Sequence, residues 1–406
     1  MFDLLFVGNP AIDKAIAEPE DMPRSLLGRI RGATLKTLEK TYRQAIKSEA
    51  QGIVLCGEIL NPVYVSPAQL IRLRELIIQA RENGCETIWV TPNPMNAEEY
   101  LRMLGEPKGL SFATPLRPWT KTIRSTTVEL WGVFNEEDIH RIASHDPFEP
   151  LHRQLLVGWD TRHDIAHSMT SKVSSSHLAQ PNTLAIWATS GCSSPPHNFS
   201  RLPSVQAVCQ KDSHNTGCYG LTFYKPSSSN NDNTQSLKGS GDLWEQLPMS
   251  EVTWRTIRIE SADEDVEALS QRLWESCDSL MDHTPEDDEP DVTTAPPLII
   301  VDCRIACGTS IKRRLKVSEI VQDVKRTLRE RCAAASPHIW IQSISADTEE
   351  SLAALGRNRS GGRPGSSSSF TSALADLVTD GDETDSPELR TEREAGWLAL
   401  ELLESE

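Results

Sequence analysis

The chain has no C-x-x-C pair. Its nine cysteines are odd in number and scattered over 406 residues, which suits reduced thiols better than a disulfide framework. Cys303 and Cys307 are the closest two, and alone they are not a metal site. No apolar run approaches the roughly 20 residues that a membrane-spanning helix needs, so no membrane association is expected. The amino terminus lacks a basic region and a cleavage signature and reads as a first strand, which predicts no export and a cytoplasmic location. Hydrophobic residues reach only 38%, so part of the chain is expected to lie outside any core. Positive charge is also short. A net charge of −17 excludes a protein that coats nucleic acid over its whole surface, while leaving room for a local basic patch. There is no Gly-x-Ser-x-Gly elbow, for Ser190-Gly191-Cys192-Ser193 lacks both the spacing and a base. Neither Gly8 nor Gly57 opens a phosphate-binding glycine motif.

What is present is an alternation of apolar runs and amphipathic helices. Leu4 to Val7 forms a short apolar run ending at Gly8, the pattern of a buried strand that feeds a loop. Leu35, Leu38, Tyr42, Ala45 and Ile46 recur at helical spacing, and Ile53 to Cys56 makes the next strand. Ser66-Pro67 supplies an N-cap and a first-turn proline for a helix ending near Gly84, before a strand over Thr87 to Val90. This βαβαβ order predicts a parallel sheet with right-handed crossovers, with the loops after its strands gathered at the carboxyl edge. Between about residues 110 and 225 the pattern turns to short strands, at 128–131, 154–157, 184–187 and 221–224, which predicts a second sheet stacked on the first. Residues 227–243 read as a linker rich in Ser, Asn and Gly. Strands at 254–259, 298–301 and 338–344, with helices between them, predict a small α/β domain over 244–346, interrupted by an acidic insert at 282–291. The last stretch, 347–406, is too polar to bury a core, apart from one short helix near its end.

The opening strand with a loop ending in Ile12-Asp13, the helix starting near Ala33-Thr34, and Ile53 to Asn61 followed by Ser66-Pro67 together resemble the calcineurin-like metallophosphoesterases. The resemblance is to the nuclease subunit of the SbcCD type and the DNA repair exonucleases near it, chiefly over residues 2–130. It implies an α/β fold: a calcineurin-like phosphoesterase sandwich over 1–226, with stacked mixed β-sheets flanked by helices, followed by a small α/β capping domain. In that family the three strands lead into Asp-x-His, Gly-Asp-x-x-Asp and Gly-Asn-His-Asp. Here the corresponding positions hold Asn9 and Ala11, then Glu58 and Asn61, then Asn93, Pro94 and Met95. Val157-Gly158-Trp159 and Thr189-Ser190-Gly191 stand where histidines should follow later strands.

A two-metal hydrolase needs several anionic or imidazole ligands, so that a bridging water becomes the nucleophile and the cations neutralise the developing phosphorane charge. One carboxylate among neutral amides does not provide this. The expectation is a protein with no catalytic residues, no cofactor and no ordinary Mn²⁺-dependent nuclease activity, persisting as a scaffold or partner in a DNA repair exonuclease type of complex. The resemblance implies an SbcC-type coiled-coil ATPase, a second copy of the chain, or DNA as partners. The alternative is an active metal-dependent phosphodiesterase using Mn²⁺ at a site rebuilt from Glu58, Asp13, Asn93 and later histidines. A third reading is a non-catalytic ligand-binding α/β protein.

Other features carry a bland reading beside a sharp one. His163 and His167, four residues apart near Asp160 and Asp164, suit a metal on a helix or plain solvated histidines in a polar loop. Lys312, Arg313, Arg314, Lys316, Lys325, Arg326, Arg329 and Arg331 form a basic cluster able to contact DNA or an acidic partner. Glu319, Asp323 and Glu330 interrupt it, so it also reads as an ordinary charged helix face.

Overall fold

The sequence folds around a parallel sheet, as its periodicity requires. The structure, a computed structural model, describes residues 1–19, 21–92, 94–143, 152–159, 183–189, 200–209, 216–223, 243–261, 266–280, 296–307, 315, 318–335 and 338–346. Strands β1 (Leu4–Gly8), β2 (Gly52–Cys56), β3 (Glu86–Val90) and β4 (Leu110–Ala113) lie side by side in parallel. Their register pairs Leu5 with Ile53, Val54 with Ile88, and Trp89 with Phe112. β1 and β2 are buried at every position, which is why they read as unbroken apolar runs rather than alternating ones. Helix α1 spans Arg24–Arg31, and the crossovers are made by α2 (Ala33–Lys47), α3 (Pro67–Glu82) and α4 (Pro94–Leu104).

A second sheet of five strands runs in the order β5 (Trp119–Ile123), β6 (Thr126–Val133), β7 (His152–Trp159), β8 (Thr183–Ala188), β9 (Ser200–Leu202). After the β5–β6 hairpin its strands are parallel. Three apolar layers fix the stacking. Leu5, Val7, Ile53, Leu55 and Trp89 pack under Leu38, Tyr42, Leu73, Leu76 and Ile77 of α2 and α3. The opposite face of the same strands, with Leu4, Phe6, Val54, Ile88 and Val90, meets Val128, Leu130, Leu155, Val157 and Ile186 of the second sheet. The outer face of that sheet buries Trp131, Leu156 and Trp187 against Ile139 and Ile142 of α5 (Glu136–Ala143). The order is therefore helices, sheet, sheet, helix.

The strand expected at 221–224 does not belong to the second sheet. It is β10 (Cys218–Thr222), and it pairs antiparallel with β1, Leu4 opposite Leu221. β11 (Leu243–Leu247), which falls in the stretch read as a small domain, extends the same sheet beyond β10, giving the order β11-β10-β1-β2-β3-β4. Asp3 shows what holds β10 there. Its backbone N–H donates to Leu221 O (2.8 Å), and its carboxylate accepts from Phe223 N–H (2.8 Å) and pairs with Arg124 Nε (2.8 Å). Those partners are more than a hundred residues away in the chain, out of reach of any local pattern.

A further sheet has the order β12 (Val252–Ser261), β13 (Leu298–Cys307), β14 (Ile339–Ala346). The chain divides into two compact units, one of residues 1–255, 285–301 and 332–342, the other of 256–284, 302–331 and 343–406, so the division crosses each of these strands. In the first unit Val252, Trp254, Leu298, Ile300 and Trp340 bury themselves with Ile16, Met22, Ile30 and Ala33. Buried Gln206 accepts from Thr37 Oγ1 (2.9 Å) and Glu251 N–H (2.9 Å) and donates to Val252 O (2.7 Å). In the second unit helices α6 (Val266–Asp278) and α7 (Ser318–Ala335) bury Leu269, Leu273, Val324 and Leu328, while Ser343 Oγ donates to Asp302. Residues 227–242 of the expected linker, the acidic insert 282–291 and the tail 347–406 lie outside the described residues. Among the described residues no helix is long and apolar enough to cross a membrane.

Candidate functional site

The loops after β1, β2, β3 and β4 leave the parallel sheet at one edge, the edge where such sheets build sites. The second sheet delivers the ends of β7 and β8 to the same place. The Cys56 thiol at the end of β2 donates to Gly158 O (3.4 Å), and Asn9, just past β1, donates through Nδ2 to Thr189 O (2.9 Å), just past β8. Asn9, Glu58, Gly158 and Thr189 are thus brought together at this edge. Asn93 lies outside the described residues; Pro94 opens α4, with its side chain also outside them. Ser190, Gly191, His163 and His167 lie outside them too.

What the edge does with these groups is bind them to one another. The loops after β1 and β2 are zipped by three backbone bonds, Asn9 N–H to Cys56 O (2.8 Å), Ala11 N–H to Glu58 O (2.8 Å) and Ile12 N–H to Ile59 O (3.0 Å). Asn9 and Ala11 sit at φ +42°, in the left-handed region, which bends the first loop into this register. The Asn9 side chain is used at both ends, because Oδ1 accepts from Glu58 N–H (2.9 Å) while Nδ2 holds Thr189. Gly57 is needed beneath it. Its φ is +88°, and a Cβ there would sit 2.0 Å from Asn9 Oδ1.

The remaining candidates are engaged in the same way. Glu58 is half exposed and forms an ion pair with Lys14, a residue that the sequence reading passed over. A search for metal ligands does not stop at a lysine; the signal was its opposite charge to Glu58, in the adjoining loop. Asp13 accepts from Asn61 N–H (3.0 Å), and Asn61 Oδ1 accepts from Val63 N–H (3.0 Å), folding the second loop on itself. Ala11 is buried and offers only a methyl group. Gln69 in the first turn of α3 donates to Ile12 O, which ties that helix to the first loop. Arg201 Nε donates to Thr189 Oγ1 (2.9 Å). Trp89 stacks on Tyr100 of α4 with ring centroids 4.5 Å apart; burial raises the Tyr100 phenol above its ordinary value, and the charges of Glu99 and Asp13 add to this.

These residues do not fit a binuclear metal centre. A pair of divalent cations calls for several hard anionic donors facing one point. The carboxylates here are Glu58, neutralised by an ammonium, and Asp13, which holds a backbone N–H. No group of three or more His, Cys, Asp or Glu side chains able to hold a metal occurs among the described residues. Burial pushes the Cys56 thiol far above its ordinary value and holds it protonated, which keeps it from acting as a nucleophile.

The basic cluster is divided. Lys312, Arg313, Arg314 and Lys316 lie outside the described residues. Lys325 is buried at 8% exposure and cannot reach a phosphate from there. Arg326 pairs with Asp323 (2.8 Å) on the exposed face of α7, and Arg331 donates to Gln271 of α6 (3.0 Å). Arg329 is only partly exposed. The described part of this face carries both signs, as an ordinary surface helix does.

No protein-family model matches the chain, and no curated protein matches it.

Proposed function

We propose that this chain is a non-catalytic member of the calcineurin-like metallophosphoesterase group, acting as a scaffold or partner subunit in a DNA-processing complex of the SbcCD type. The observation that carries the proposal is Asn9, whose amide bonds Glu58 N–H with one end and Thr189 O with the other. An aspartate with free lone pairs at that position would serve a cation; an amide with both ends engaged serves the fold. The stacking of two sheets between helices, with the loops of both at one edge, supports the calcineurin-like reading. The complex follows from the resemblance alone, and with it a coiled-coil ATPase as partner.

The experiment is elemental analysis of the purified full chain after incubation with excess Mn²⁺ and desalting, with hydrolysis of bis-p-nitrophenyl phosphate followed on the same sample. Retention of no metal and no turnover is the expected result. Two retained metals with turnover that Glu58→Ala abolishes would establish instead an active phosphodiesterase with a rebuilt site. Purification from cells without an associated ATPase would remove the partner assignment while leaving the inactive edge intact.

A further inference from the structure

Helix α2 turns its apolar side to the parallel sheet, burying Thr37, Leu38, Thr41, Tyr42 and Ala45. On the opposite side run Lys36, Lys40, Arg43 and Lys47, at intervals of four, three and four residues. At 3.6 residues per turn this spacing sets all four within an arc of about 60°, along a ridge of about 16 Å. Lys36, Arg43 and Lys47 are exposed, and among the described residues no carboxylate pairs with any of them. Lys40 is paired with Glu251.

The sign of this stretch runs against the sign of the chain. Residues 24–47 hold seven Lys and Arg and a single acid, Glu39, in a chain with 41 basic and 58 acidic residues. Glu39 is taken by Arg72 of α3, so it leaves the ridge uncompensated. Like charges one turn apart weaken a helix, and an opposing carboxylate relieves that repulsion. The Lys40–Glu251 pair shows the relief in place at one of the four positions. The described face of α7, by contrast, answers Arg326 with Asp323 on the same helix.

We infer that this ridge is the docking surface for an acidic helix of another protein, laid along α2 with its carboxylates opposite Lys36, Arg43 and Lys47. Charge complementarity and shape select the occupant. The ridge is straight and belongs to one element, and its four-three-four spacing reads the same in both directions. A helix with glutamates at that spacing therefore meets it in either orientation. Duplex DNA is a poorer match, since it carries a charge every 1.7 Å or so and a chain of net charge −17 repels it. A continuous polyanion would also pass over Glu39 and Glu251, which discrete carboxylates in register avoid. The inference does not depend on whether the candidate edge is inactive, because its test measures binding and not turnover.

The test is fluorescence anisotropy of a labelled alanine-based peptide of about 20 residues, long enough to hold a helix, with glutamates at the spacing of the ridge. It is titrated with the full-length protein at low and high salt. Binding is expected at low salt and should weaken as salt screens the charges, while the same peptide with glutamine at those positions should not bind. Lys36→Gln/Arg43→Gln/Lys47→Gln should bind about tenfold more weakly, as the loss of three exposed ion pairs implies. The control Arg102→Gln/Lys108→Gln/Arg117→Gln alters net charge equally at exposed positions elsewhere and should bind as the parent does. Glutamine is a good helix former, so far-ultraviolet circular dichroism should be unchanged in both. A parent chain that does not bind the glutamate peptide overturns the inference. So does a ridge variant that binds as the parent does, or a control that loses as much. A short DNA duplex bound more tightly than the peptide, and released by the ridge variant, would give the surface to nucleic acid instead.

Discussion

Asn9 carries more of this protein's character than any other residue described. Replacing it by aspartate changes one NH₂ to an oxygen, leaving the bond from Glu58 N–H while placing a carboxylate against Thr189 O. The position is 6% exposed. Loss of the donor leaves a buried carbonyl unsatisfied, so Asn9→Asp should cost about 1–3 kcal/mol, measured as a lowered urea midpoint. The cost should shrink in acid, where a protonated carboxyl again donates. Asp3 makes a different pH argument. Burial raises its carboxyl above the ordinary value of 3.8, against the opposing effects of Phe223 N–H, Arg124 and the amino terminus. A carboxyl raised on folding binds its proton more tightly in the native state, so its contribution to stability is complete below 3.8 and is lost as pH rises through the raised value. Asp3→Asn removes that titration and keeps an acceptor for Phe223, so the stability difference between parent and variant should change with pH above 3.8 and level off in stronger acid. Urea titrations at a series of pH values read this directly; parallel profiles would count against it.

At the scale of single elements, α3 is the best specified. Ser66 Oγ accepts from Gln69 N–H (3.3 Å), Gln69 Oε1 accepts from Ser66 N–H (2.9 Å), and Pro67 occupies the first turn. The same Gln69 reaches Ile12 O, so the cap serves both the helix and the loop after β1. Ser66→Ala should lower stability by roughly 0.5–2 kcal/mol, whereas Ser66→Asp, which can still cap, should stay near the parent in a thermal melt. This helix was legible because everything that defines it lies within a few residues. The strands β1 to β3 were legible for the same reason, each a short apolar run, with β2 and β3 following directly on a helix. β10 and β11 were not: nothing in Cys218–Thr222 says that it returns to lie beside β1, since its partner in the sheet is Leu4 and the clasp is Asp3. The candidate edge was half legible. Its positions were found through motif spacing, but the engagement of Asn9 with Thr189 spans 180 residues of sequence, and the partner of Glu58 was a lysine where a ligand was sought.

Across the molecule, the parallel sheet supplies one face to the helices and the other to the second sheet, so Leu5 and Leu4, adjacent in sequence, belong to different cores. Damage to β1 or β2 is therefore felt on both sides. Gly158 marks how closely the second sheet is packed, since a Cβ there would lie 2.1 Å from Val133 O and 2.6 Å from the Trp187 ring. The zipped loops extend this rigidity past the strand ends. Ligand-binding loops ordinarily come from the least stable part of a fold, where they open on their own and trade their amide hydrogens with water quickly. Ala11 and Ile12 donate their N–H groups to Glu58 and Ile59 and lie buried at 5% and 1% exposure. Their hydrogens should exchange with deuterium only as slowly as those of the β1 strand itself. A loop that exchanges with the core has ceased to behave as a gate for anything entering from solvent.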